Sequence, residues 1–296
     1  MRSGRSGGPV FVSRARGRRY QGRGAFGMGR RRAGGGKIRL LIGLGIAGFA
    51  LFSFLSGREY NELTGETQFV KLSPEEEIAM GLQAAPAMAA QHGGLDRSAA
   101  DQARVDAIGT QILERSAARD TGWNFEFHLL ADPSTVNAFA LPGGQVFITR
   151  ALYDRLDTDG EVAGVLGHEI GHVVARHSAQ RIAKANFGQG LVQAILLASG
   201  SSGAAQAGQA VTQMLTMKYG RGDELQSDEL GVRFLVESGY DPEALIEVMQ
   251  VLAEASGGAK SPEFMSTHPA PENRIEKIRE AIERYAPGGV AADAIR

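Results

Sequence analysis

The chain has 296 residues, a formal net charge of −1 and no cysteine. Its length suffices for one domain with a substantial core, and we find no internal repeat of roughly 20 to 50 residues. The lack of cysteine excludes a thiolate zinc site, a disulfide framework and a cysteine-linked lipid anchor.

The small net charge conceals a very uneven distribution of basic and acidic residues along the chain. Residues 1–39 hold twelve of the 32 basic residues and none of the 33 acidic ones, with frequent glycine. Such a tract cannot bury enough apolar surface to order itself, so we predict a disordered cytoplasmic tail over residues 1–37. An RNA-binding arm is an alternative explanation for so much arginine. We regard nucleic-acid binding as the weaker interpretation, because the neighbouring segment offers a simpler one.

Residues 38–56 predict a transmembrane anchor in contact with the lipid bilayer. The run from Leu40 to Phe52 carries no charge, and Arg39 can reach the headgroups if the apolar stretch is short for a core of about 30 Å. A cleaved signal that releases a soluble periplasmic protein is the alternative. Basic residues that flank a membrane helix stay on the cytoplasmic side, so the chain after the anchor should lie in the periplasm of a bacterium. A mitochondrial inner-membrane location is the less favoured reading.

The segment between the anchor and the centre of the chain predicts helices followed by strands. After a predicted linker over residues 57–72, Ser73 and Pro74 precede three glutamates and indicate a helix start. Residues 101–117 continue as a helix. Alternating apolar residues predict strands at 124–129 and 145–149, and residues 136–140 could form an edge strand.

One five-residue motif predicts metal chemistry: His168-Glu169-Ile170-Gly171-His172. Thr158 and Glu161 form a capping box that predicts a helix through this motif. His168 and His172 then lie on one face and can hold one zinc ion. The Glu169 carboxylate can take a proton from a water on that ion, which is the chemistry of peptide-bond hydrolysis. The alternative treats both histidines as hydrogen-bonded core residues.

A catalytic zinc needs a third protein ligand, and Glu224 is the candidate. Asp228 follows it by four residues on the same helix face. There its carboxylate could accept a hydrogen bond from the outer nitrogen of a liganding histidine. The alternative for both acids is an ordinary solvated helix face.

Two further features leave alternatives open. Gly164, Gly167 and Gly171 form one stripe of the metal helix, which indicates either close helix packing or room for a substrate backbone. Residues 188–210 are rich in glycine, alanine and serine, and could form a mobile lid or a loosely packed helical hairpin. Three histidines lack a partner at ligand spacing, and we interpret them as structural: His92, His128 and His177.

Four blocks, taken in order, resemble zinc metallopeptidase family 48, which includes the HtpX, CAAX prenyl, Oma-type and BepA-type peptidases. The similarity covers roughly residues 73–286. The family usually has alanine where this chain has Ser227, a small change in size. The four blocks are Asn137 to Gly144, His168 to His177, Glu224 to Asp228, and Thr267 to Ile275.

The resemblance implies further site residues. It places Asn137, Ala138 and Phe139 at a substrate-binding edge, to which an extended peptide could add as a strand. It also directs His268 and Arg274 at the metal cleft, where they could stabilise negative charge on the substrate carbonyl. Alternatively, a neutral His268 could occupy the open position of the zinc until substrate displaces it.

We therefore predict an α+β, mainly helical zincin (gluzincin-like) domain with a small β-sheet over residues 73–286. One transmembrane helix precedes it and a C-terminal tail, residues 287–296, follows. The expected activity is that of a membrane-anchored endopeptidase with one zinc per chain. Its expected substrates are misfolded or envelope proteins, in quality control of the cell envelope. A chaperone-like protein that binds polypeptides in the same cleft without cleaving them is the alternative, although the intact Glu169 and Glu224 argue against it.

Overall fold

The computed structural model describes residues 35–199, 219–256, 263–269 and 272–296. This part of the chain is mainly helical with two small sheets, which confirms the predicted fold class. Most of the predicted N-terminal tail, and residues 200–210 of the predicted lid or hairpin, lie outside the described residues. The helices are α1 Gly35–Leu55, α2 Pro74–Gln91, α3 Ala99–Arg115, α4 Arg150–Tyr153, α5 Asp159–Val174, α6 His177–Ser199, α7 Arg221–Ser238, α8 Ala244–Ala255, α9 Glu263–Thr267 and α10 Arg274–Tyr285. The strands are β1 Arg58–Asn61, β2 Glu66–Phe69, β3 Glu126–Leu130, β4 Ala138–Ala140 and β5 Gln145–Thr149.

The predicted helix starts are confirmed by their capping contacts. The Thr158 hydroxyl accepts the Glu161 N–H at 3.1 Å, and the Glu161 carboxylate accepts the Thr158 N–H at 3.0 Å. Ser73 and Glu76 cap α2 in the same reciprocal way. These contacts satisfy backbone donors that a helix N-terminus otherwise leaves exposed, and they fix where α5 begins.

A three-stranded sheet packs beside α5. Its order is β3-β5-β4, with β5 parallel to β3 and antiparallel to β4. The residues of β5 are all buried, and Val146 and Ile148 belong to the same hydrophobic core as α5. Within the described chain β4 lies at the sheet edge, and it also contacts α5. The sheet therefore brings one edge strand to the metal helix.

The glycine stripe of α5 serves close helix packing. A Cβ atom added to Gly167 would lie 3.1 Å from Leu235, and one added to Gly171 would lie 3.0 Å from the Ser227 backbone oxygen. Gly164 meets Leu245 of α8 in the same manner, at 3.3 Å. The stripe is thus filled by α7 and α8, which decides against the alternative that it makes room for substrate.

The segment predicted as a linker, residues 57–72, contains the β1–β2 hairpin instead. Asn61 donates to the Val174 carbonyl and Gln68 to the Ala175 carbonyl, both at 2.8 Å. Carbonyls at a helix C-terminus have no partner within the helix, so the hairpin caps the end of α5. A linker prediction missed this because the strands are short, polar and largely exposed.

The predicted C-terminal tail also docks on the domain. Ile295 pairs with Tyr240 in an isolated bridge, and the Asp241 N–H donates to the Ile295 carbonyl at 2.9 Å. The Arg296 guanidinium contacts Glu247 at 2.8 Å. The end of the chain therefore helps to hold the turn between α7 and α8.

Candidate metal centre

Helices α5 and α7 cross closely and bring the predicted metal ligands together. His168 and His172 lie on the face of α5 that meets α7, and Glu224 lies in the first turn of α7. The His168 and His172 Nε2 atoms are 3.0 Å apart, and each is 3.6 Å from an oxygen of Glu224. Donors about 2.0–2.2 Å from a tetrahedral zinc would be roughly 3.3–3.6 Å apart. The two distances to Glu224 match this spacing and the two histidine nitrogens are about 0.3 Å closer, so the three side chains fit one zinc ion after a small separation of the imidazoles.

His268 joins the same cluster from the segment after α9. One ligand atom each from His168, His172, Glu224 and His268 lies within 4.8 Å of the others, and all four residues are buried. The His268 Nδ1 atom is 3.1 Å from Glu224 Oε1 and 3.4 Å from His168 Nε2. The cluster therefore offers a fourth donor, one more than the three protein ligands that a catalytic zinc would use.

The outer hydrogen bonds direct both Nε2 lone pairs at the centre. His168 Nδ1 donates to Asp228 Oδ1 at 2.8 Å, which leaves its Nε2 atom as an acceptor. His177 Nε2 lies 2.9 Å from Gln226 Oε1, so a neutral His177 donates there and accepts at Nδ1 from His172 Nδ1, also at 2.9 Å. Two lone pairs 3.0 Å apart repel each other, and a cation between them relieves the repulsion.

His177 is a residue whose role the sequence interpretation missed. It was predicted to be structural, but it fixes the tautomer of a predicted ligand. The sequence feature that could have indicated this role is the position of His177, five residues beyond His172. Tyr219, whose ring stacks on His172 at 3.9 Å between centroids, was also missed, since nothing in the sequence connects the two. His92 and His128 bond to Asp132 and Gln145, away from the four-residue cluster.

Burial keeps the histidines in the neutral form that metal ligation requires. It lowers the pKa of His168 and lowers that of His172 further, with neighbouring histidines adding to the effect on His172. It also lowers the pKa of His177 to about 4. Burial raises the pKa of Glu224 to about 7, despite opposing effects of His168 and Arg274. A divalent cation would favour the ionised carboxylate, because its charge is the largest in the site.

Glu169 lies beside His268, and its Oε1 atom is 3.7 Å from the His268 Nε2 atom. Neither of its oxygens has a hydrogen-bond partner among the described residues, although the side chain is fully buried. Burial and the nearby Glu224 raise its pKa well above the ordinary value. An acid with raised basicity beside a metal cluster is suited to accept a proton from an attacking water.

Arg274 contacts Asp228 rather than standing free in the cleft. Its Nε and Nη2 atoms donate to the two Asp228 oxygens at 2.6 and 2.8 Å, and its Nη1 atom is 3.5 Å from Glu224. Burial alone would raise the pKa of Asp228, but Arg274 and His168 outweigh it and lower that pKa. Arg274 thus keeps Asp228 ionised to orient His168. This favours a positioning role over the predicted direct role on the substrate.

The predicted substrate edge is near the site but partly covered. Asn137 and Ala138 are buried, and the Phe139 ring stacks on Phe147 at 4.9 Å. The Phe264 N–H donates to the Val136 carbonyl at 3.2 Å, so α9 lies against the start of this edge. A peptide that extends along this edge as far as Val136 would therefore meet α9. The substrate role of residues 137–139 stays a prediction.

The fold and the donor set define a zinc metallopeptidase, and comparisons with known proteins agree. Residues 99–282 match the profile of peptidase family M48. The chain therefore belongs to family M48, whose members are zinc-dependent.

Named relatives fall into two groups. The chain is 32% identical over 199 residues to a beta-barrel assembly-enhancing protease of Yersinia pestis, which covers 64% of this chain and 40% of that protein. It is 30% identical over 253 residues to the mitochondrial metalloendopeptidase OMA1 of Schizosaccharomyces pombe, covering 82% and 72% respectively. The Arabidopsis thaliana OMA1 is 33% identical over 184 residues, which covers 59% of this chain and 37% of that protein. The chain thus spans about two fifths of the beta-barrel assembly-enhancing proteases that it matches.

The ligand assignment predicts the effect of removing Glu224. Glu224→Ala should lower the zinc content of purified protein from about one ion per chain to a small fraction, because two histidines alone bind zinc weakly. Elemental analysis after dialysis measures this. Glu229→Ala is the matched control and should keep its zinc, because Glu229, five residues further along α7, is half-buried and pairs with Arg284 instead of the cluster. Full zinc content in Glu224→Ala would remove Glu224 from the ligand set.

Proposed function

We propose that this protein is a membrane-anchored zinc endopeptidase in which Glu169 activates the water that attacks the peptide bond. The observation that carries the proposal is the convergence of three donors, His168, His172 and Glu224, near a buried Glu169 carboxylate that has no hydrogen-bond partner among the described residues. The zinc ion would polarise the substrate carbonyl and acidify water. Glu169 would accept the proton from that water and return it to the leaving amine.

Other residues of the site would orient these groups. Asp228, held by Arg274, directs the His168 lone pair to the metal, and His177 does the same for His172. Buried and hydrogen-bonded, these partners cannot reorient during the reaction. Preorganised groups of this kind stabilise a transition state without further rearrangement.

The proposed substrates are polypeptides of the cell envelope, in protein quality control. The names of the Yersinia pestis and Schizosaccharomyces pombe relatives describe an assembly-enhancing protease and a mitochondrial metalloendopeptidase. A single N-terminal apolar helix, α1, is long enough to cross a membrane among the described residues. The basic residues before it favour a periplasmic catalytic domain, with the mitochondrial inner membrane as the alternative.

Replacing Glu169 separates catalysis from binding. Glu169→Gln keeps the side-chain size but removes the base, so zinc should remain while peptide hydrolysis falls by about 10²–10⁴-fold. Metal analysis and casein or peptide cleavage measure the two effects, with Glu114→Gln on the exposed face of α3 as the control. Unchanged hydrolysis would refute the mechanism. A variant that loses hydrolysis but still rescues cells lacking the protein would favour the chaperone-like alternative.

Two roles were considered for His268: stabilising charge on the substrate carbonyl, or occupying the open zinc position as a latch until substrate displaces it. The structure favours the latch. A transition-state donor would leave the fourth position open, whereas here the His268 imidazole lies within the donor cluster. We therefore expect His268→Ala to raise kcat with zinc retained, and Arg274→Ala to lower kcat and weaken zinc binding because Asp228 loses its partner. Steady-state kinetics with metal analysis measure both. A lower kcat in His268→Ala would return this residue to the transition-state role.

The charge division predicts the orientation in the membrane. A reporter that is active only outside the cytoplasm should be active when fused after Arg296, and inactive when fused before Lys37. The full-length protein should stay in membranes washed with high salt. A shortened, soluble product would show that the N-terminal segment is a cleaved signal.

A further inference from the structure

The second half of α6 has the composition of a membrane segment. No residue between Lys184 and Lys218 carries a charge. The part of this stretch that the structure describes, residues 185–199, is helical, and Ile195 and Leu197 are 47% and 42% exposed on it. Its exposed polar side chains are Asn186, Gln189, Gln193 and Ser199, and uncharged amides and hydroxyls of this kind occur within membranes.

This half of α6 packs along α1 in the antiparallel direction. At one end a Cβ atom added to Gly43 would lie 2.9 Å from the Ala198 Cβ atom. At the other end the rings of Phe54 and Phe187 stack at 5.1 Å. Between them, Gly190 meets Ala50. Such contacts between small residues let two helix backbones approach closely, as they do between helices in membranes.

The environment of α1 must therefore also surround the second half of α6. Large apolar side chains of α1 are exposed on the sides that α6 leaves free, with Leu41, Phe49 and Phe52 between 67% and 71% exposed. Ile195 and Leu197 extend this apolar surface onto α6. In water such a continuous surface would be unfavourable, whereas in a bilayer it meets hydrocarbon.

We propose that residues 187–199 of α6 insert into the same bilayer as α1, so that two helices hold the catalytic domain. This inference rests on the proposed anchoring by α1. Lys184, which is exposed, would lie at headgroup level, and the stacked rings of Phe54, Phe69 and Phe187 would mark the membrane boundary. Ala198 lies level with Gly43, so α6 would reach past the middle of the α1 span.

The inserted helix would place the metal centre close to the membrane surface. Helix α6 begins at His177, whose ring contacts the predicted ligand His172. Phe187 follows ten residues later, about 15 Å along the helix. The peptides best placed for cleavage are therefore segments within roughly that distance of the bilayer, such as the flanks of other membrane-bound proteins.

Single cysteines test the insertion, because the chain has none of its own. Ile195→Cys and Leu197→Cys are introduced singly and exposed to a water-soluble maleimide in opened membranes, where both faces are accessible. Both should react at least about tenfold more slowly than Leu95→Cys, an exposed position on the catalytic domain, because a thiol in hydrocarbon stays protonated. All should react alike after solubilisation in denaturant. Retained peptide hydrolysis shows that each variant folds.

A further position separates this inference from the anchoring proposal. Phe52→Cys on α1 should be protected as well. Protection of Phe52→Cys with rapid labelling at Ile195→Cys and Leu197→Cys would overturn the insertion of α6 alone. Rapid labelling of Phe52→Cys would overturn both proposals.

A disulfide tests the helix pairing within the membrane. Gly43→Cys combined with Ala198→Cys should cross-link under mild oxidation, because the Cβ atoms are adjacent. Gly45→Cys with Ala198→Cys is the control and should not, since a Cβ atom at Gly45 meets nothing within 4 Å among the described residues. Equal cross-linking of both pairs, or of neither, would overturn the pairing.

Discussion

The close approach of α5 and α7 is the constraint on which the site depends. Gly167 of α5 lies against Gly231 of α7, and Gly171 lies against the Ser227 backbone. A Cβ atom at Gly167 or Gly171 would lie only 3.1 or 3.0 Å from α7, so the neighbouring atoms would have to move by a few tenths of an ångström. Such a shift would disturb the grouping of His168, His172 and Glu224, because a tetrahedral zinc tolerates only small deviations in ligand position. The helix-propensity cost of each glycine, about 1 kcal/mol, is thus offset by the geometry it permits.

A chain of buried charges and hydrogen bonds then sets the electrostatics of the site. Arg274 holds Asp228, Asp228 holds His168, and Gln226 acts on His172 through His177. Each link fixes which nitrogen carries a proton. A buried cluster with two facing lone pairs and a second carboxylate at Glu169 is unfavourable without a cation, so it is arranged to bind metal and not for the stability of the apoprotein.

The sequence predicted the parts of this arrangement that are local. The capping box at Thr158 and the spacing of His168 and His172 suffice for the metal helix, and alternation suffices for β5. Contacts between distant segments could not be predicted from the sequence. The bond from Arg274 to Asp228 joins residues 46 apart. The role of His177 depends on Arg176, which adopts a left-handed backbone with φ of 54° and reverses the chain between α5 and α6. Such a conformation is unusual for a residue with a side chain, and no local sequence pattern predicts it.

The side chain of Arg176 holds this left-handed turn in place and connects it to two other segments. Its guanidinium donates to Glu77 at 2.8 Å, to Glu59 of the β1–β2 hairpin at 2.6 Å, and to the Leu72 carbonyl at 2.7 Å. These charge-assisted contacts, in a site only 5% exposed, offset a conformational cost of about 1–2 kcal/mol. The hairpin follows directly on α1, and α6 begins immediately after the turn. The hairpin that follows α1 and the turn that precedes α6 therefore meet at the C-terminal end of α5, within a few residues of His172.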